Sequence, residues 1–173
     1  MAEPQRVLPT SGPEPGLLGI YLNDHLAGSA GGLALAQRLR DSHRETAAAA
    51  DLAWLADQVA EDREMLIKLM KQLGIPRTKY KEPAAWLAEK VGRLKPNGHL
   101  LSRSPLSSVV ELEGMRLGIE GKAAGWRSLR TLAEKDSRLD KELIENLQVR
   151  ASEQAERLEH LHACAVTEAF VLP

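Results

Sequence analysis

His25, Asp62, Glu120 and Gln154 are the residues whose types and spacing point to chemistry in this sequence. Each falls on an otherwise apolar helical stripe, so folding is expected to carry each inward. An imidazole and two carboxylates at one depth form either a ligand set for a metal ion or a buried hydrogen-bonded cluster. Counting along the chain predicts a common depth. His25 and Asp62 lie about 18 residues either side of a turn near His43, and Glu120 and Gln154 about 17 residues either side of a second turn. Glu113, one heptad before Glu120, either joins this layer or reaches solvent at the helix edge. Because an unpaired buried carboxylate is costly, the layer must satisfy itself, hold water or bind an ion. In the self-satisfied version His25 pairs with Asp62 or Glu120, and Gln154 bridges.

Four helices are expected to position these groups. The first spans Leu17 to about Asp41, with Leu18, Leu22, Ser29, Gly32, Ala36 and Leu39 on one face. Its Gly28, Gly31 and Gly32 each weaken a helix by roughly 1 kcal/mol relative to Ala, which suggests close approach of a neighbouring backbone in compensation. The second runs from about Thr46 to Leu73 on Leu52, Leu55, Val59, Leu66 and Leu69, and Gly74 and Pro76 stop it. Ile75 to Arg103 is too long for a turn and reads as a crossover, with a short amphipathic helix from Pro83 through Trp86, Leu87 and Val91 to Leu94. Ser104 and Pro105 open the third helix, whose expected stripe is Leu106, Val110, Leu117 and Ala124, ending near Glu134. The fourth continues to about Ala169 with Ile144, Leu147, Ala151, Leu158, Leu161 and Ala165 inward. Residues 1–16 carry four prolines and two glycines and read as a flexible tail, leaving 17–173 as one helical bundle domain.

This all-α layout of two antiparallel hairpins joined by a long crossover, with mid-helix Asp62 and Glu120, resembles the ferritin-like superfamily over roughly Leu17 to Ala169. The resemblance implies a di-iron or di-manganese carboxylate centre with a Glu from two helices and a Glu-x-x-His from the other two. Met65 and Arg157 stand where the histidines belong, three residues after Asp62 and Gln154, so that pattern is incomplete. The chain is most similar in layout to bacterial ferritin-like proteins that keep the bundle without a whole metal site. A literal Glu159-x-x-His162 falls away from the layer and reads as a solvated face.

The remaining candidates are weaker. Cys164 follows His160 by one turn, a thiol and a base, but is expected to be a small residue near the core. Arg77, Lys79, Tyr80 and Lys81 form a small basic patch that reads as a solvated loop. Trp86 and Trp126 are expected to be partly exposed and available to a partner. With 23 basic and 24 acidic residues there is no basic field for nucleic acid. No apolar run approaches the roughly 18 residues that cross a membrane, and one cysteine suits a reducing, cytoplasmic setting.

The expectation that follows is a non-enzymatic bundle without a cofactor, acting through an unknown protein partner or as a homodimer. The alternative is a metal-binding protein using His25, Asp62 and Glu120 for redox or metal-handling chemistry. A third possibility is a small-ligand carrier built around a mid-bundle cavity beside the small residues of the first helix.

Overall fold

The protein is seen in a computed structural model that describes residues 16–78 and 104–171. Among them are four helices and no strand: α1 (Leu17–Ser42), α2 (Ala49–Gln72), α3 (Pro105–Leu132) and α4 (Lys141–Phe170). The predicted tail up to residue 15, the short crossover helix, Trp86, Lys79, Tyr80 and Lys81 lie outside the described residues.

The helix ends follow from local chemistry. Gly74 takes φ of 71°, and the Gly74 and Ile75 amides return to the carbonyls of Lys71 and Met70, closing α2 as a left-handed glycine allows. Pro105 occupies the first turn of α3, where its missing N–H is of no consequence, although the Ser104 side chain makes no cap bond. Asp140 caps α4 by accepting from the Leu143 amide at 3.1 Å.

Neighbours and directions can be read from contacts. α1 packs on α2 and α3, α3 on α4, and α2 more loosely on α4. Along α1 and α3 the pairs His43–Ser108, Leu35–Gly114 and His25–Gly125 run in opposite senses, so those helices are antiparallel. Asp51–Arg157, Asp62–Arg150 and the Leu73 carbonyl with Arg138 show the same for α2 and α4. Consequently α2 finishes beside the α3–α4 turn while α3 begins beside His43, at the opposite end of the bundle.

Two apolar clusters fill the interior. One gathers Leu39, Leu52, Leu55, Leu112, Met115 and Leu158, the other Leu22, Leu69, Met70, Trp126, Leu129 and Ile144. Each fully enclosed Leu in them contributes roughly 2 kcal/mol by leaving water. Every predicted inward position of α2 and α4 is buried. α3 differs. Its buried face is Val109, Leu112, Met115, Ile119, Trp126 and Leu129, while the expected Leu117 is 74 % exposed. Both series repeat at threes and fours, but the observed one is the more apolar, and the helix turns that side to the core. Trp126, expected to be partly exposed, is 2 % exposed.

Candidate functional site

Between the two apolar clusters sits a polar layer, and its membership follows from the rotation of α3. Turning Val109 and Ile119 inward also turns Lys122 inward and sends Glu120 out, since one residue along a helix rotates the side chain by about 100°. Asp62 on α2 is 2 % exposed and is held from three sides. Lys122 donates to its Oδ2, Arg150 to its Oδ1, and the Gln154 amide to Oδ2 at 2.9 Å. Lys122 also donates to Gln154 Oε1, and Arg150 reaches Glu61 at the surface at 3.2 Å. Gln154 therefore bridges, as expected, but between Asp62 and Lys122 rather than to His25 or Glu120.

The other predicted site residues are placed differently. Glu120 is exposed and pairs with Arg116 at 3.3 Å, and Glu113 is exposed and meets His162 at 3.3 Å. Glu159 pairs with the same Arg116 at 2.8 Å, so the Glu159–His162 motif is split between separate surface partners. His25 is partly buried, edge-on to Tyr21 at a ring separation of 4.5 Å, and has no hydrogen-bond partner among the described residues. Among the described residues no three His, Cys, Asp or Glu side chains are gathered as a metal would need. Cys164, expected near the core, is exposed, with its Sγ 4.0 Å from His160 Nε2.

Beside the layer lies a cavity of about 480 Å³ between α1, α2 and α3. That lies in the range of small-molecule sites, about 300–1,000 Å³. His25, Asp62, Lys122 and Trp126 line it, with Gly28 and Gly32 from α1 and Gly118, Gly121 and Gly125 from α3. Added Cβ atoms at Gly28, Gly32 and Gly121 would meet nothing within 4 Å. The glycines of α1 thus open space instead of admitting a neighbouring backbone, which corrects the packing role expected for Gly28 and Gly32. Their conformation is helical, so Gly28→Ala and Gly32→Ala should each raise the free energy of unfolding by about 1 kcal/mol in denaturant titrations. Gly125 is different. A Cβ there would stand 3.2 Å from the His25 ring, so this glycine makes the seat on which the imidazole rests.

Burial holds His25 below its ordinary value of 6.5, against the opposing pull of Asp24. Below 6.5 the unfolded chain therefore binds a proton that the folded chain resists, and stability falls as pH drops through that window. The stability difference between the native chain and His25→Gln should shrink on acidification from above 6.5 to below it; a difference that stays flat contradicts this placement. Burial likewise pulls the Lys122 ammonium below the usual lysine value, with Arg150 adding to the effect and Asp62 opposing it.

Two residues of the site escaped the sequence reading. Lys122 lies on the same threes-and-fours series as Ile119 and Trp126, and that series was the available signal. Arg150 lies one turn before Gln154 on α4, and only its partner Asp62 reveals its role. Outside the site, a further unforeseen charge is Glu111, fully buried on α3, where Arg38 Nε lies 2.9 Å from its Oε1.

No protein-family model, curated protein or solved structure matches this chain. Among the described residues no helix is long and apolar enough to cross a membrane.

Proposed function

We propose that this chain is a ferritin-like bundle that binds, rather than transforms, a small and mainly apolar molecule in the cavity beside Asp62 and Lys122. The observation that carries this reading is the room of about 480 Å³ left by glycines on two facing helices, at positions where a Cβ would meet nothing. Alanine at those positions favours the helix, so sequence chosen for stability alone would have closed part of the space. Support for the ferritin-like assignment comes from α2 and α3 running in the same direction, each antiparallel to α1, with a long segment between them. The single cysteine accords with a cytoplasmic setting.

A resident iron or manganese is the less supported reading. Asp62 spends both oxygens on Lys122, Arg150 and Gln154, and two cations beside a carboxylate disfavour a third. Self-association or a protein partner would draw on exposed apolar residues such as Leu117 and Val149, which do not form part of the cavity.

Titration of the purified chain with the neutral fluorophore N-phenyl-1-naphthylamine tests the binding role. One saturable site per chain is the expected result. A linear, unsaturable response overturns it, and two equivalents of iron or manganese in protein purified without chelator would replace it with the metal reading.

A further inference from the structure

One flat ring already rests on a glycine of α3, and the same seat is repeated along the helix with no ring on it. A Cβ added to Gly125 would stand 3.2 Å from both Cε1 and Nδ1 of His25 and 3.5 Å from its Nε2. Near-equal distances to three ring atoms mean that the imidazole presents its face, since an edge-on approach would leave the third atom well beyond the other two. Gly121 and Gly118 stand one and two turns before Gly125 on α3, and all three line the cavity. A Cβ on Gly121 would meet nothing within 4 Å, and one on Gly118 only the end of Met115 at 3.9 Å. Because α1 runs antiparallel to α3, with His25 beside Gly125 and Leu35 beside Gly114, Gly28 and Gly32 come opposite Gly121 and Gly118. The cavity is therefore walled here by bare backbone from both helices. From Gly118 to Gly125 this wall runs for roughly 10 Å.

We propose that this cavity takes a planar aromatic molecule of two or three fused rings with a hydrogen-bond acceptor, laid face-down on the α3 glycines beyond the His25 ring. This inference rests on the cavity being a ligand site. Volume agrees with it, since an apolar cavity of about 150 Å³ holds one benzene and this one measures about 480 Å³. Length agrees too, because two helical turns match a bicyclic or tricyclic frame. A flat ring touches a bare backbone wall over its whole face, whereas a puckered ring meets it only at its projecting hydrogens and forfeits dispersion contact elsewhere. The side chains gathered here point to the same chemistry. Of the six Trp, Tyr and Phe residues in the sequence, Tyr21 and Trp126 line the cavity, and Tyr21 already meets His25 edge to face. The acceptor follows from Trp126. Its side chain is 2 % exposed, and its indole N–H is enclosed without an acceptor among the described residues. An oxygen or nitrogen at the edge of the bound ring supplies what this buried donor lacks.

Coumarin and octahydrocoumarin separate flat from puckered, because they share one bicyclic skeleton and one lactone carbonyl. In competition with N-phenyl-1-naphthylamine on the full chain, coumarin is expected to bind at least about tenfold more tightly than octahydrocoumarin. Gly121→Ala sets a methyl group on the empty seat and favours the helix. It should weaken coumarin at least about fivefold, leave octahydrocoumarin within about twofold, and preserve the melting temperature. Trp126→Phe removes the N–H and should weaken coumarin at least about threefold more than naphthalene, which is flat, has no acceptor, and reports that the site is intact. Equal affinities for coumarin and octahydrocoumarin, or Gly121→Ala without effect on coumarin, overturn the inference, and equal weakening of coumarin and naphthalene by Trp126→Phe strikes the acceptor from it. The cavity reading survives those outcomes as long as N-phenyl-1-naphthylamine saturates one site; if it finds none, both fall together.

Discussion

Asp62→Ala is expected to lose about 3–5 kcal/mol of unfolding free energy, the range found when one member of a buried ion pair is removed. The carboxylate is 2 % exposed, and its loss leaves Lys122 and Arg150 facing one another without the anion that both address. Glu120→Ala is the matched comparison, because the same side chain was expected in the layer and the structure places it at the surface. Its pair with Arg116 joins two partly or fully exposed groups four residues apart, so removal should change stability by no more than about 0.5 kcal/mol. Urea unfolding of both variants measures the contrast. Equal losses would mean that the inward face of α3 has been misassigned. Asp62→Leu combined with Lys122→Met should recover much of the single-site loss, since an apolar pair of similar volume avoids burying charge.

Gly28→Leu together with Gly32→Leu should weaken binding of N-phenyl-1-naphthylamine by at least about tenfold, or 1.4 kcal/mol, without unfolding the chain. An added Cβ at either position begins in open space on the lining of the cavity between α1, α2 and α3, so leucine there is expected to compete for the volume a ligand needs. Helical leucine also replaces helical glycine, which favours the fold. Gly114→Leu supplies the control. Its Cβ would already lie 3.5 Å from Leu35, so the added atoms meet a packed neighbour and should lower the melting temperature. Fluorescence titration and thermal melts of the two variants decide the matter: undiminished affinity in the double variant would place the bound probe elsewhere.

How far the site was legible depended on the helix that carried it. α2 and α4 have one apolar series each, interrupted by Asp62 and Gln154, so both residues were located correctly from spacing. α3 has two competing series. Leu106, Val110, Leu117 and Ala124 repeat as regularly as Leu112, Met115, Ile119 and Trp126, and choosing the first led to Glu113 and Glu120 instead of Glu111 and Lys122. Periodicity measures an angle of repeat and leaves the phase open, and a phase error of two residues, about 200° around the helix, exchanges the outward Glu120 carboxylate for the inward Lys122 amine. Summed apolarity of the two series was the missing criterion. On α1 the glycines were recognised as needing an explanation, but a gap and a close contact leave the same trace in the sequence. Asn23 shows a similar limit. It is buried and bonded to Pro76 and Thr78, which follow α2 in the sequence and meet α1 only in space.

Among the described residues, the four long helices, their approximate ends and the depth of Asp62 and Gln154 were determined by the sequence itself. Backbone hydrogen bonds four residues apart, the Gly74 cap and the rise per residue are local, and lengths counted along the chain carry over into the bundle. Tertiary structure alone decided which polar groups meet, because Asp62, Lys122, Arg150 and Gln154 come from three helices whose rotations are chosen together by the apolar faces they must bury. It also decided that the glycines line a half-open cavity, since such a space belongs to no single helix and is defined by what its neighbours fail to fill.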